Sequence, residues 1–345
     1  MNAYAILCNP GHNRVYFEAS LKMAVAEFNF FARTLPLTFE EVECKNIGGV
    51  DYLTFKTNLE LKPKDVEFLT ELSFIYALFK IENIGGEELL KPIDKAHNEF
   101  VDESIGSLLK YTGKTNEIFT RMMINIARCS QNNNKNIKLL DPVAGKGTTL
   151  FEGLVKGYDV YGVEIGEKIV TETYHFLKKF LETAKYKFDY SEIKISGVNK
   201  SFSAQRHTFS TAKTKEDFKN KNTKTIEIVS GNSMFADKYF KRNFFDIIVG
   251  DLPYGVQHGN VTNEKQSSLT RNPSELLEMC LPSWAEVLKP GGVIVLAWNK
   301  NVLPREQMKK IFEQKKLKVL NDEDYIQFEH RVDRSILRDI IAARK

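Results

Sequence analysis

The chain has 345 residues, 42% hydrophobic and 27% charged, with a formal net charge of +4, enough for a sizeable core and more than one domain; the excess of positive charge permits a polyanionic partner without requiring one. No apolar run has the length of a bilayer span and the start "MNAYAILCNPGHNR" lacks the regions of a secretory signal, so neither a membrane association nor export is expected. Cys8, Cys44, Cys129 and Cys280 are scattered without a C-x-x-C pair, which predicts buried thiols in a reducing cytoplasm, no disulfide framework and no zinc site.

In chain order, "AYAILCN" reads as a strand, "VYFEASLKMAVAEFNFFAR" as a helix, and "FEEVECKNIGGVDYLTFKT" as two strands about the turn residues Asn46 to Gly49. "KDVEFLTELSFIYALFKIE" adds a helix and a closing strand. Residues 1–83 are thus expected to form a small α+β domain without a catalytic cluster. The polar stretch 84–104, with Gly85, Gly86 and Pro92, reads as a linker. From residue 105 onward, "TNEIFTRMMINIARC" predicts an amphipathic helix capped at Thr115. Alternating strands and helices follow to residue 345, the pattern of a parallel sheet wrapped by helices.

The first strand of that sheet, "IKLLD", ends at Asp141, and a turn containing Gly145 and Gly147 leads into the helix "TTLFEGLVK". Glycines there let a ligand approach the backbone. The next strand, "YDVYGVEI", ends on Glu164, where an acid can accept hydrogen bonds from ribose hydroxyls, so a nucleoside ligand is expected. A nicotinamide fingerprint fits poorly because Leu150 stands where its third glycine belongs, and a phosphate-binding loop fits poorly because Lys146 lies between the glycines.

"DPVAGKGTTLFEG", "GYDVYGVEI", "VSGNSMF", "DIIVGDLPYG" and "LKPGGVIVLAW" occur in this order, and residues 105–345 resemble the class I S-adenosylmethionine-dependent methyltransferases. More narrowly they are similar to the RNA methylase family that includes the N2-guanosine tRNA methyltransferases. The resemblance implies a Rossmann-like seven-stranded α/β domain that uses S-adenosylmethionine. Asp141, Ala144, Gly145 and Gly147 would surround the methionine portion of the cofactor, Glu164 would hold its ribose, and Asn232, with Ser233 beside it, would reach the adenine. The chain departs from the family pattern at Val143-Ala144, where Phe-Cys is common, and at Asn232, where Asp is common; no clear THUMP domain precedes the catalytic part.

"GDLPYG" supplies the chemistry. An exocyclic purine amine is a poor nucleophile because its lone pair is delocalised into the ring. Asp251 and the carbonyl of Leu252 can accept its two N–H groups, Pro253 stiffens the backbone, and Tyr254 offers a face for the base, with Gly255 giving room. Catalysis of this kind works by proximity and alignment. The expected activity is N-methylation of a base amine in RNA, guanosine N2 in tRNA first, by a monomer. DNA adenine-N6 or protein-glutamine methylation and a noncatalytic RNA-binding protein are the alternatives. The lysine-rich insertion 199–224, with Phe202 and Phe209, reads either as a phosphate-contacting segment or as a solvated loop. Residues 255–273, with His258 and Arg271, read as a loop beside the site. Trp298 is expected in the core, Asn299 near the substrate side, and His330, Arg331, Asp333 and Arg334 in a charged hairpin without catalytic duty.

Overall fold

The computed structural model describes residues 1–9, 14–95, 98–109, 111, 114–131, 135–197, 201–254 and 272–345. The expected loop around Gly255, His258 and Arg271, and Lys200, lie outside the described residues. The chain divides into two units, Met1–Asn98 with Asn321–Val332, and Glu99–Leu320 with Asp333–Lys345.

In the first unit the elements are β1 (Asn2–Cys8), α1 (Arg14–Ala32), β2 (Phe39–Ile47), β3 (Val50–Thr57), α2 (Pro63–Leu69), β4 (Ile75–Ile84) and β5 (Glu87–Ile93). The strands form an antiparallel sheet in the order β2-β3-β1-β4-β5. Gly48 and Gly49, both at positive φ, make the tight turn between β2 and β3. Aromatic residues fasten α1 to the sheet, with the Phe28 ring 4.7 Å from that of Phe55. The stretch 84–104, expected as a linker, carries β5, which pairs with β4 along its length. Its polar composition hid it because an edge strand has little apolar surface to bury. The segment Asn321–Val332, with a short strand β14 (His330–Arg331), belongs to this unit too: Asp324 accepts a bond from Arg33 at 2.5 Å and the Tyr325 ring lies 5.0 Å from that of Phe30.

The second unit runs α3 (Ser104–Leu108), α4 (Glu117–Cys129), β6 (Lys138–Asp141), α5 (Thr148–Val155), β7 (Asp159–Glu164), α6 (Glu167–Thr183), β8 (Phe188–Ser196), β9 (Ser203–Thr211), α7 (Lys215–Lys219), β10 (Lys224–Ser230), α8 (Ala236–Tyr239), β11 (Phe245–Asp251), α9 (Pro273–Val287), β12 (Leu288–Asn299), α10 (Arg305–Gln314), β13 (Lys318–Leu320) and β15 (Leu337–Arg344). The sheet order is β13-β15-β12-β11-β6-β7-β10-β9-β8. β10, β7, β6, β11 and β12 are parallel, whereas β15 is antiparallel to both β12 and β13. Ile247–Val249 and Val293–Val295 are wholly buried, as expected where helices cover both faces of a parallel sheet.

The seven strands from β10 to β13 match the expected Rossmann-like architecture, and the hairpin β8–β9 extends it by two antiparallel strands. The insertion 199–224 is therefore not a loop over its first half, because β9 occupies it. Its lysines from Lys213 to Lys221 follow β9 and precede β10, at the end of the sheet opposite Asp141. Phe209 is buried, and Phe202 stacks on Phe235 at 5.1 Å.

Candidate functional site

Strand order reverses between β6 and β11, and in open α/β sheets ligands bind at the carboxyl ends of the strands at such a switch point. Asp141 ends β6 and Asp251 ends β11. Together with the intervening turn they line a cavity of about 390 Å³, within the size range of small-molecule sites. A larger hollow of about 500 Å³ lies on the sheet of the first unit. Four of its charged residues pair with one another, Lys56 with Glu41 at 2.6 Å and Lys45 with Glu88 at 3.6 Å, and Lys80 pairs with Glu60 at 2.5 Å.

Asp141 accepts the Val143 N–H at 3.0 Å. Burial pushes its carboxyl up to about 7, opposed by the Thr149 hydroxyl and the Val143 N–H and reinforced by the charges of Asp251 and Glu164. Gly250 makes room for it: a Cβ there would meet Asp141 Oδ1 and Val143 Cγ2, each at 3.2 Å. The Ala144 N–H donates to the Val163 carbonyl at 2.9 Å, holding the turn against β7. Gly147, at φ +85°, starts α5 in a conformation that a side chain would strain. Glu164 is fixed at both oxygens, by the Gly145 N–H at 3.0 Å and the Gly166 N–H at 2.7 Å. Burial raises its carboxyl and these donors oppose the rise.

The opposite wall is anchored by register. Asp251 pairs with Ala297 of β12, and the Leu252 N–H donates to the Ala297 carbonyl at 2.9 Å. Leu252 is buried and Pro253 exposed. The Asp251 carboxylate accepts the Thr115 hydroxyl at 2.6 Å and the Tyr254 hydroxyl at 2.6 Å. Arg338 Nη2 lies 3.8 Å from Asp251 Oδ2. Arg338 is 5% exposed, and its guanidinium sits 4.6 Å from the Phe119 ring centre and 5.1 Å from that of Tyr254. Burial and then the Asp251 charge raise the Tyr254 phenol far above its ordinary range. The Tyr254 side chain, expected to present a face to a base, is thus engaged through its hydroxyl with Asp251. Asn299, wholly buried, explains the alignment: it donates to the carbonyls of Tyr254 at 3.4 Å and Ser335 at 3.2 Å and accepts the Leu337 N–H at 3.1 Å.

The cavity brings together Asp141, Ala144, Gly145 and Asp251 to Tyr254, while Glu164 and Gly147 adjoin it through the turn. Asn232 and Ser233 are not among its lining residues. The Asn232 side chain accepts the Met234 N–H at 2.9 Å, a turn-capping use that leaves its amide N–H groups for other partners. The Ser233 hydroxyl accepts the Trp284 indole N–H at 2.9 Å inside the core. Sequence reasoning missed Thr115 and Arg338. Thr115 was assigned to helix capping, which Asn116 performs by accepting the Ile118 and Phe119 N–H groups at 2.9 and 3.2 Å. Arg338 had a signal in "SILRDII", a charge within an apolar strand. Among the described residues no group of three or more His, Cys, Asp or Glu is arranged to hold a metal, and no helix is long and apolar enough to cross a membrane.

The residues present fit S-adenosylmethionine: the Asp141 carboxylate can meet its positive groups, and the glycines leave room where a nucleoside must pass close to the backbone. Residues 110–323 match the family described as UPF0020: RMKL-like, methyltransferase domain. No curated protein matches the chain. Among solved structures, TrmN from Thermus thermophilus aligns over 100% of both chains at 10% identity with a TM-score of 0.47. The 1,6-didemethyltoxoflavin-N1-methyltransferase of Burkholderia thailandensis, solved with S-adenosylhomocysteine, aligns over 67% of this chain and 79% of its own at 11% identity and a TM-score of 0.38. A SAM-dependent methyltransferase from Leishmania major aligns over 61% of this chain and 65% of its own, at 13% identity and a TM-score of 0.36. The family match spans more than half of the sequence and contains the turn after β6 and the acidic tetrapeptide after β11, so the chain belongs to the RMKL-like methyltransferases and is a class I methyltransferase with S-adenosylmethionine as its cofactor.

Proposed function

We propose that the chain methylates an exocyclic base amine in RNA, with guanosine N2 in tRNA as the first substrate. The observation that supports this most is the placement of Asp251, Leu252, Pro253 and Tyr254 on the wall of the cavity that also holds the glycine turn. S-adenosylmethionine supplies a sulfonium-bound methyl group. Asp251 and the Leu252 carbonyl each accept one amine N–H and so turn the nitrogen lone pair out of conjugation. S-adenosylmethionine bound there would give its methyl group to that nitrogen and leave as S-adenosylhomocysteine, and Asp251, already accepting an amine N–H, is placed to take the proton the nitrogen releases. Thr115 and Arg338 hold the Asp251 carboxylate in place, and the incoming amine displaces the Tyr254 hydroxyl from it. The released ring then stacks on the base, which must be unpaired or splayed out to enter. Glu164 holds the ribose of the cofactor and Asn232 its adenine edge. The first unit helps to position the RNA.

The test is mass analysis of nucleosides from tRNA of a strain lacking the chain, with loss of an N2-methylguanosine as the expected result. An unchanged tRNA profile with loss of N6-methyladenine in DNA would move the site to adenine. In the purified protein, Asp251→Ala should leave cofactor affinity nearly intact while turnover falls by at least about a hundredfold, the scale of a lost alignment.

A further inference from the structure

Lys146 occupies the turn between Gly145 and Gly147, and of the described residues lining the cavity it alone is a cation. Its ammonium lies 2.7 Å from Glu172 Oε2 on α6 and 5.0 Å from the centre of the Tyr111 ring. The Tyr111 hydroxyl is in turn 3.4 Å from Thr148 Oγ1 in the first turn of α5. These groups converge on the start of an eight-residue helix, whose first N–H groups have no carbonyl partner within the helix and favour negative charge.

S-adenosylmethionine carries one negative group, its α-carboxylate, and two positive ones, the ammonium and the sulfonium. Asp141 complements the positive groups, which leaves the carboxylate to be matched. We infer that Lys146 exchanges Glu172 for the α-carboxylate of S-adenosylmethionine and is the residue that distinguishes the cofactor from analogues lacking that group. The exchange is energetically open. Glu172 is 42% exposed, and an ion pair at such a surface contributes little, whereas a charge-assisted bond inside a cavity is stronger. The side chain need not travel far, because Lys146 already lines the cavity and its partner Tyr111 lines it too. The inference deepens the cofactor assignment and is independent of the RNA reading, whose failure would leave it untouched.

Isothermal titration with S-adenosylmethionine and with decarboxylated S-adenosylmethionine, which differs only in lacking the carboxylate, tests it. Lys146→Met should weaken binding of S-adenosylmethionine about tenfold and leave the decarboxylated analogue unchanged, which also shows that the variant is folded. Glu172→Gln, by removing the competing anion, should tighten S-adenosylmethionine alone by up to about fivefold. Equal weakening of both ligands by Lys146→Met, or of neither, overturns the inference, as does a Glu172→Gln protein that fails to tighten. A native protein that binds neither ligand removes the cofactor assignment and this inference together.

Discussion

Asp141 and Asp251 end neighbouring parallel strands, yet they are held by different means. Asp251 is surrounded by two hydroxyls and a guanidinium, whereas the Asp141 carboxyl is so buried that it titrates at about 7. An unfolded aspartate titrates near ~3.9, so the folded chain holds this proton more tightly than the unfolded one. The contribution of Asp141 to stability therefore declines as pH rises from about 4 to about 7. Cofactor binding has the opposite preference, because an ammonium or sulfonium favours the ionised carboxylate. Affinity for S-adenosylmethionine is expected to strengthen as pH rises toward about 7 and then to level off. Titrations across that range should show this bend in the native protein and a flat profile in Asp141→Asn. A bend that persists in the variant would assign the titration to another group.

At the scale of elements, α4 and α5 are joined by a buried ion pair. Arg121 Nε donates to Glu152 Oε2 at 2.9 Å, and the Glu152 side chain is 1% exposed. The same α4 begins just after Thr115, so the pair steadies the segment that presents a hydroxyl to Asp251. Burial raises the Glu152 carboxyl, and Arg121 opposes that rise. Arg121→Met should therefore cost about 3–5 kcal/mol, since removing one partner strands the other charge, and denaturant titration would measure it. Arg121→Met together with Glu152→Leu should recover much of the loss; a double variant as unstable as the single one would contradict the ion-pair account. Position within an element also decided what sequence reasoning confused. Thr115 and Asn116 are adjacent candidates for one cap, and the choice between them depends on which side chain faces the helix N–H groups and which faces Asp251.

Across the whole chain, the first unit draws a segment from far along the sequence. Tyr325 and Phe328 are buried, and Tyr325 meets Phe30 and Arg33. A fragment of residues 1–98 alone should unfold at lower denaturant than the same unit in the full chain, because it lacks these contacts; restoring 321–332 as a peptide should raise its midpoint. Equal midpoints with and without the peptide would show that the segment adds nothing to that unit. The first unit also explains why a boundary at residue 83 read plausibly: the turn at Gly85 and Gly86 has linker composition, and only pairing with β4 turns the following residues into a strand.

The sequence by itself determined the alternation of strand and helix, the glycine turn after Asp141, the acid ending β7 and the tetrapeptide after β11. These are local patterns, in which apolar periodicity and turn chemistry act over a few residues. Only the tertiary structure decided that Thr115 and Arg338, 136 and 87 positions from Asp251, meet its carboxylate, that Ser233 serves Trp284, and that the lysines after β9 stand at the far end of the sheet. The physical reason is that strand pairing and the packing of helices on the sheet set which distant side chains share a point in space: a one-residue shift of β15 against β12 would turn Arg338 to the other face, and Thr115 and Ser233 are carried in by segments packed on that sheet.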